Sequence, residues 1–124
     1  MEANKLAALC RDLAENRKAE DVAILDVRGL SSITDYFVIC SGGNEPHLRA
    51  IAEELTTHLE KEAGVDLRAQ DGSTGSGWLV IDLFDVMVHI MHKDAREKYD
   101  LDTLWGDAPR VKVKKARKKA AKKA

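Results

Sequence analysis

Leu6, Leu9, Cys10 and Leu13 fall at i, i+3, i+4 and i+7, the apolar stripe of an amphipathic helix over residues 2–18. The period then shortens. "DVAILDV" (21–27) is short, apolar and β-branched, which predicts a strand. "RGLSSITD" reads as a loop, and "YFVIC" (36–40), apolar on both faces, predicts a central strand. Asn44 is placed to cap a second helix, with Pro46 in its first turn and Gly64 at its end. Leu48, Ile51, Leu55 and Leu59 keep helical spacing between them. "VDLRA" (65–69) predicts a third strand. A strand, helix, strand succession implies a right-handed crossover between parallel strands. Residues 70–77, "QDGSTGSG", read as a flexible loop.

The strongest pattern follows. "WLVIDL" and "VMVHIM" flank Phe84 and Asp85, and a tight hairpin there pairs 83 with 86, 81 with 88 and 79 with 90. One face is then Leu79, Ile81, Leu83, Val86, Val88 and Ile90, a core face. The other is Trp78, Val80, Asp82, Met87, His89 and Met91. Phe84 is a poor residue for a primed hairpin turn. Residues 94–105 predict a short helix with Leu101, Leu104 and Trp105 on one side. The expected fold is α/β: a two-layer domain with a mixed sheet of about five strands, helices covering one face and the Trp78 face partly open.

At 124 residues the chain is one domain, expected over residues 1–109 and followed by a tail. The apolar fraction of 44% suits a globule. No apolar run approaches the roughly 20 residues of a membrane span, and the N-terminus lacks the pattern of a secretory signal. Cys10 and Cys40 read as buried free thiols in a reducing cytosol. The net charge of −1 conceals an asymmetry. Residues 110–124 hold nine Lys or Arg and no acid, leaving a formal −10 on residues 1–109. Such a tail attracts nucleic acid or serves only to solubilise, and its composition predicts disorder. Its candidate RNA contacts are Arg110, Lys112, Lys114, Lys115, Arg117, Lys118 and Lys119.

Catalytic chemistry finds little support. "SGG" after a strand, with acids on a later strand, is similar to a nucleotidyltransferase arrangement. Asp82 and Asp85, three residues apart, point to opposite faces of a strand, whereas a two-metal site needs convergent carboxylates. "DGSTGSG" lacks the Lys-Ser/Thr end of a phosphate-binding loop. His89 and His92 diverge by the same spacing argument, so no metal site is expected. What remains is aromatic distribution: Trp78, Phe84, Tyr99 and Trp105 fall within residues 78–105. "YDLDTLW" (99–105) sets apolar residues among aspartates. That is the composition of a docking surface, apolar at its centre and polar at its rim.

Taken together, "ITDYFVICSG", "GW-VIDL-DV-VHIM" and "YDLD-LW" closely resemble the ribosomal silencing factor family, also called Iojap-like proteins. The resemblance covers residues 3–109, with the lysine-alanine tail outside it. It implies a domain related in fold to nucleotidyltransferases without their catalytic acids, and no cofactor. It further implies a cytoplasmic translational repressor that binds the large ribosomal subunit through large-subunit ribosomal protein fourteen. Such a protein blocks joining of the small subunit and damps translation in starvation or stationary phase. Carried over by position, the docking surface includes Trp78, Leu79, Tyr99, Leu101, Leu104 and Trp105, with Asp82 and Lys93 nearby. Leu79 conflicts with the hairpin register, which turns it inward. A homodimer through the same region, off the ribosome, is compatible with the resemblance. The competing readings are a nucleotidyltransferase-like enzyme using the turn at residues 41–43 and a general RNA-binding protein acting through its tail.

Overall fold

In the computed structural model, which describes residues 2–61, 63–101, 109 and 111, the chain runs α1 (Ala3–Asn16), β1 (Glu20–Asp26), β2 (Tyr36–Gly42), α2 (Glu45–Lys61), β3 (Ala69–Ser73), β4 (Trp78–Asp82), β5 (Val86–His92) and α3 (Lys93–Tyr99). The five strands form one mixed sheet, an α/β two-layer fold. Their spatial order is β1-β2-β5-β4-β3, with β2 and β5 parallel and the other pairs antiparallel.

The two long helices form because their apolar stripes have somewhere to go. Leu6, Cys10 and Leu13 of α1 and Leu48, Ile51, Leu55 and Leu59 of α2 pack onto one face of the sheet. Asn44 caps α2, its side-chain oxygen accepting from the His47 backbone N–H at 2.9 Å. Gly64, at φ 66°, ends the helical segment, and the Val65 N–H returns to the Leu59 carbonyl. Glu54 ties the helices together. It accepts from Arg17 at 2.9 Å and Asn16 at 3.2 Å, and lies 3.3 Å from His58. Burial pushes its pKa up, but these hydrogen bonds outweigh that and hold the carboxyl below its ordinary range. β2, buried along its whole length, is central as expected.

The third strand departs from expectation. Residues 65–68 are not a strand; Val65 and Leu67 pack against the core edge, and pairing begins at Ala69. β3 is parallel in direction to β2, but β5 and β4 lie between them. The residues expected to form a flexible loop instead form an exposed edge strand and a four-residue connection to Trp78. Gly72 makes this pairing fit: at φ 78°, an added Cβ would lie 2.2 Å from the Trp78 carbonyl oxygen.

The hairpin register is as the alternation predicts. Leu79 opposes Ile90, Ile81 opposes Val88, and the Leu83 N–H donates to the Val86 carbonyl at 2.9 Å. Leu79, Ile81, Leu83, Val86, Val88 and Ile90 all lie in the helix-side core. A smaller cluster occupies the opposite face: Leu25, Val27, Phe37, Ile39, Met91 and Leu101. The outer edge of β1 is also covered. The Pro109 carbonyl accepts from the Asp26 N–H, and the Val111 N–H donates to the Ile24 carbonyl, both at 2.8 Å. Attachment to the sheet therefore extends to Val111, past the boundary expected at residue 109.

Candidate functional site

The sheet face away from α1 and α2 carries the candidate site. Trp78 opens β4 opposite Met91 and lies diagonally across from His89. Diagonal neighbours on an antiparallel pair are within reach of a large aromatic ring. The Trp78 indole N–H donates to His89 Nδ1 at 3.1 Å. Tyr99, at the end of α3, tilts against Trp78 with ring centroids 4.9 Å apart and remains 50% exposed. Phe37 meets the His89 ring edge-on, also at 4.9 Å.

This geometry determines the state of His89. The ring is 8% exposed, and burial pushes its pKa down to about 4. Because Nδ1 accepts the indole hydrogen, the neutral ring carries its proton on Nε2. That atom is buried and has no hydrogen-bond partner among the described residues. His89 thus fixes the tilt of Trp78, which in turn supports Tyr99.

α3 is held in place from both sides. His92 Nδ1 accepts from the Asp94 N–H at 3.1 Å, which starts the helix. The Arg96 guanidinium reaches back to Ser41 Oγ at 3.1 Å and to the Asp21 carbonyl. Lys93 pairs with Glu20 at 3.1 Å, on the β1 side of the helix. Asp82 lies at the far end of β4. Its Oδ1 accepts from the Phe84 N–H at 2.9 Å, and its other carboxylate oxygen is 3.9 Å from Arg68.

Of the residues expected to form one surface, the fold brings Trp78 and Tyr99 into contact. Leu79 is corrected: it is 6% exposed on the opposite face under the helices, because strand alternation turns it away from Trp78. Leu101 is buried too, in the smaller core against which Trp78 packs. Leu104, Trp105, Arg110, Lys112, Lys114, Lys115, Arg117, Lys118 and Lys119 lie outside the described residues. In the sequence His89 reads only as a histidine that diverges from His92, and its contact with Trp78 was missed. The predicted register already placed it diagonal to Trp78, which was the available signal.

The turn at residues 41–43 is engaged internally. The Gly43 N–H donates to His47 Nδ1 at 3.1 Å, and the Gly43 carbonyl lies 3.1 Å from His92 Nε2. A Cβ on Gly42 would lie 2.8 Å from Leu48 Cδ2, so this glycine serves close packing. Ser41 pairs with Met91 at one end of β5, whereas Asp82 pairs with Met87 near the other. The carboxylates and the turn are therefore at opposite ends of the sheet.

The fold is thus a two-layer α/β domain whose second sheet face carries a half-open aromatic pair braced by a buried histidine. The model of the family described as ribosomal silencing factor during starvation matches residues 1–124, including the basic end that the motifs do not reach. The chain is 41% identical to the ribosomal silencing factor of Halalkalibacterium halodurans over 113 residues, covering 91% of this chain and 96% of that protein. A mouse protein named for mitochondrial assembly of the ribosomal large subunit is 31% identical over 75% of this chain and 42% of its own length. The crystal structure of a Chromobacterium violaceum protein superposes with a TM-score of 0.81 at 31% identity, covering 86% of this chain and 88% of that one. The chain belongs to the ribosomal silencing factor family, and its role is ribosome silencing, a form of translation regulation.

Proposed function

We propose that this protein represses translation by binding the large ribosomal subunit in the cytoplasm and obstructing the joining of the small one. Large-subunit ribosomal protein fourteen is the contact, and starvation or stationary phase the setting. The observation that carries this reading is the half-open Trp78–Tyr99 pair, held by the Trp78–His89 hydrogen bond on the five-stranded sheet. Rigid aromatic pairs are the anchors on which protein interfaces concentrate their binding energy. The mechanism is steric: the docked domain occupies space that the small subunit needs, and no bond is made or broken. The family description supports the link to starvation, and the name of the mouse relative supports the large subunit.

The basic tail adds a second attachment to ribosomal RNA by releasing counterions. Its point of departure is the β1 edge, where Val111 pairs with Ile24. Co-sedimentation with separated ribosomal subunits tests the reading. The protein is expected with the large subunit alone; pelleting with neither subunit would remove the mechanism.

A further inference from the structure

We propose that the docking surface runs the length of β4 to a second aromatic anchor, Phe84, where it meets a basic surface of the same protein partner. The inference rests on the docking role of Trp78 and extends it to the opposite end of the sheet.

Phe84 breaks two local rules at once. Its backbone is left-handed, at φ 74°, where a hairpin turn favours glycine or asparagine. Its side chain is 56% exposed and belongs to neither core cluster. Yet it is held in position. Asp82 accepts its N–H, and the Arg68 guanidinium sits over its ring at 4.9 Å while facing the Asp82 carboxylate. A residue that is strained, exposed and nonetheless oriented points to a function outside the fold.

Phe84 also has apolar company. Four large apolar side chains are exposed among the described residues: Leu30, Ile33, Phe84 and Tyr99. The first two lie on the loop between β1 and β2, with Ile33 65% exposed. That loop adjoins the Phe84 turn because the Asp85 carbonyl accepts from the Asp35 N–H at 2.9 Å and the Tyr36 N–H at 3.1 Å. Tyr99, the fourth, is already part of the first anchor. Between the two anchors, Val80 and Asp82 are half-buried on the same face as Trp78. From Trp78 to Phe84 is six residues, about 20 Å of strand. That span fits within the roughly 800 Å² that one partner contributes to a standard interface.

Charge selects the partner. Arg28 is paired with Asp26 at 2.7 Å, and Arg68 faces Asp82. Asp85 has no ion pair among the described residues, and Asp35 shares the one Arg28 guanidinium with Asp26. Among the described residues the four acids here, Asp26, Asp35, Asp82 and Asp85, outnumber the two bases, Arg28 and Arg68, a balance complementary to a basic protein surface and repulsive to nucleic-acid phosphates.

The test uses the full chain, purified large ribosomal subunits as the probe, and Trp78→Ala as a reference. Phe84→Gly and Phe84→Asn both suit the left-handed turn. Each is expected to melt no lower than wild type yet to bind large subunits about tenfold more weakly or worse. Asp35→Lys with Asp85→Lys should also weaken binding, most at low salt. Wild-type affinity in both Phe84 variants, with binding lost in Trp78→Ala, overturns the second anchor and leaves the first standing. Unchanged binding in all variants, Trp78→Ala included, overturns both. A lower melting point in both Phe84 variants makes Phe84 a structural residue and overturns the proposal. So does a wild-type dimer in light scattering that these variants convert to monomer, because the occupant is then a second copy.

Discussion

Acid should destabilise this fold through one buried ring. His89 has an ordinary pKa of 6.5 when unfolded and about 4 in the folded protein, because burial disfavours its charged form. As pH falls below about 6.5, the unfolded chain takes up a proton that the folded chain refuses. Stability therefore drops until pH nears 4, and below that the group contributes no further change. At 1.36 kcal/mol for each tenfold change in proton affinity, the gap is worth about 3 kcal/mol, a large share of the 5–15 kcal/mol typical of a folded domain. Glu54 and Asp26 also lose stabilising interactions in acid, since both carboxyls are held below their ordinary range, so wild type alone cannot isolate the effect. His89→Asn provides the control: its side-chain oxygen retains an acceptor for the Trp78 indole, and nothing at that position titrates. Urea unfolding of both proteins between about pH 7 and pH 4 should show wild type losing about 3 kcal/mol more than the variant. Equal losses would refute the buried neutral ring, and with it the account of what holds Trp78.

Two further predictions follow from the surface and the tail. Trp78→Ala and Trp105→Ala should each weaken large-subunit binding by about 2 kcal/mol or more while the fold survives; normal binding in sedimentation titrations, or unfolding seen by circular dichroism, would remove that residue from the surface. Truncation after Val111, which spares the pairing with β1, should weaken binding most at low salt, with the deficit shrinking as salt rises; identical salt slopes for truncated and full-length protein would reduce the tail to a solubilising appendage.

What the sequence disclosed followed where side chains meet apolar surroundings. The β4–β5 hairpin was readable residue by residue because one face is core and the alternation admits one register. That register also resolved Leu79, where alternation outweighs position-by-position transfer from relatives. β3 was not readable. Its residues, "AQDGS", are all exposed, so the strand is held by backbone pairing and by the room Gly72 leaves at Trp78, and no hydrophobic period marks it. Strand order was hidden too: a crossover fixes the direction of two strands but not how many others lie between them. At the site, the charged surroundings of Leu101 suggested exposure, yet the second sheet face buries it. His89 acquired its role only through a diagonal contact that composition cannot reveal.

Obstruction of subunit joining by the docked domain is read out in a reassociation assay. Large subunits preincubated with the protein and then mixed with small subunits should yield fewer joined ribosomes on a sucrose gradient, in proportion to the protein bound. Trp78→Ala at the same concentration should restore joining. Undiminished joining with large subunits fully occupied by wild-type protein would contradict the steric account.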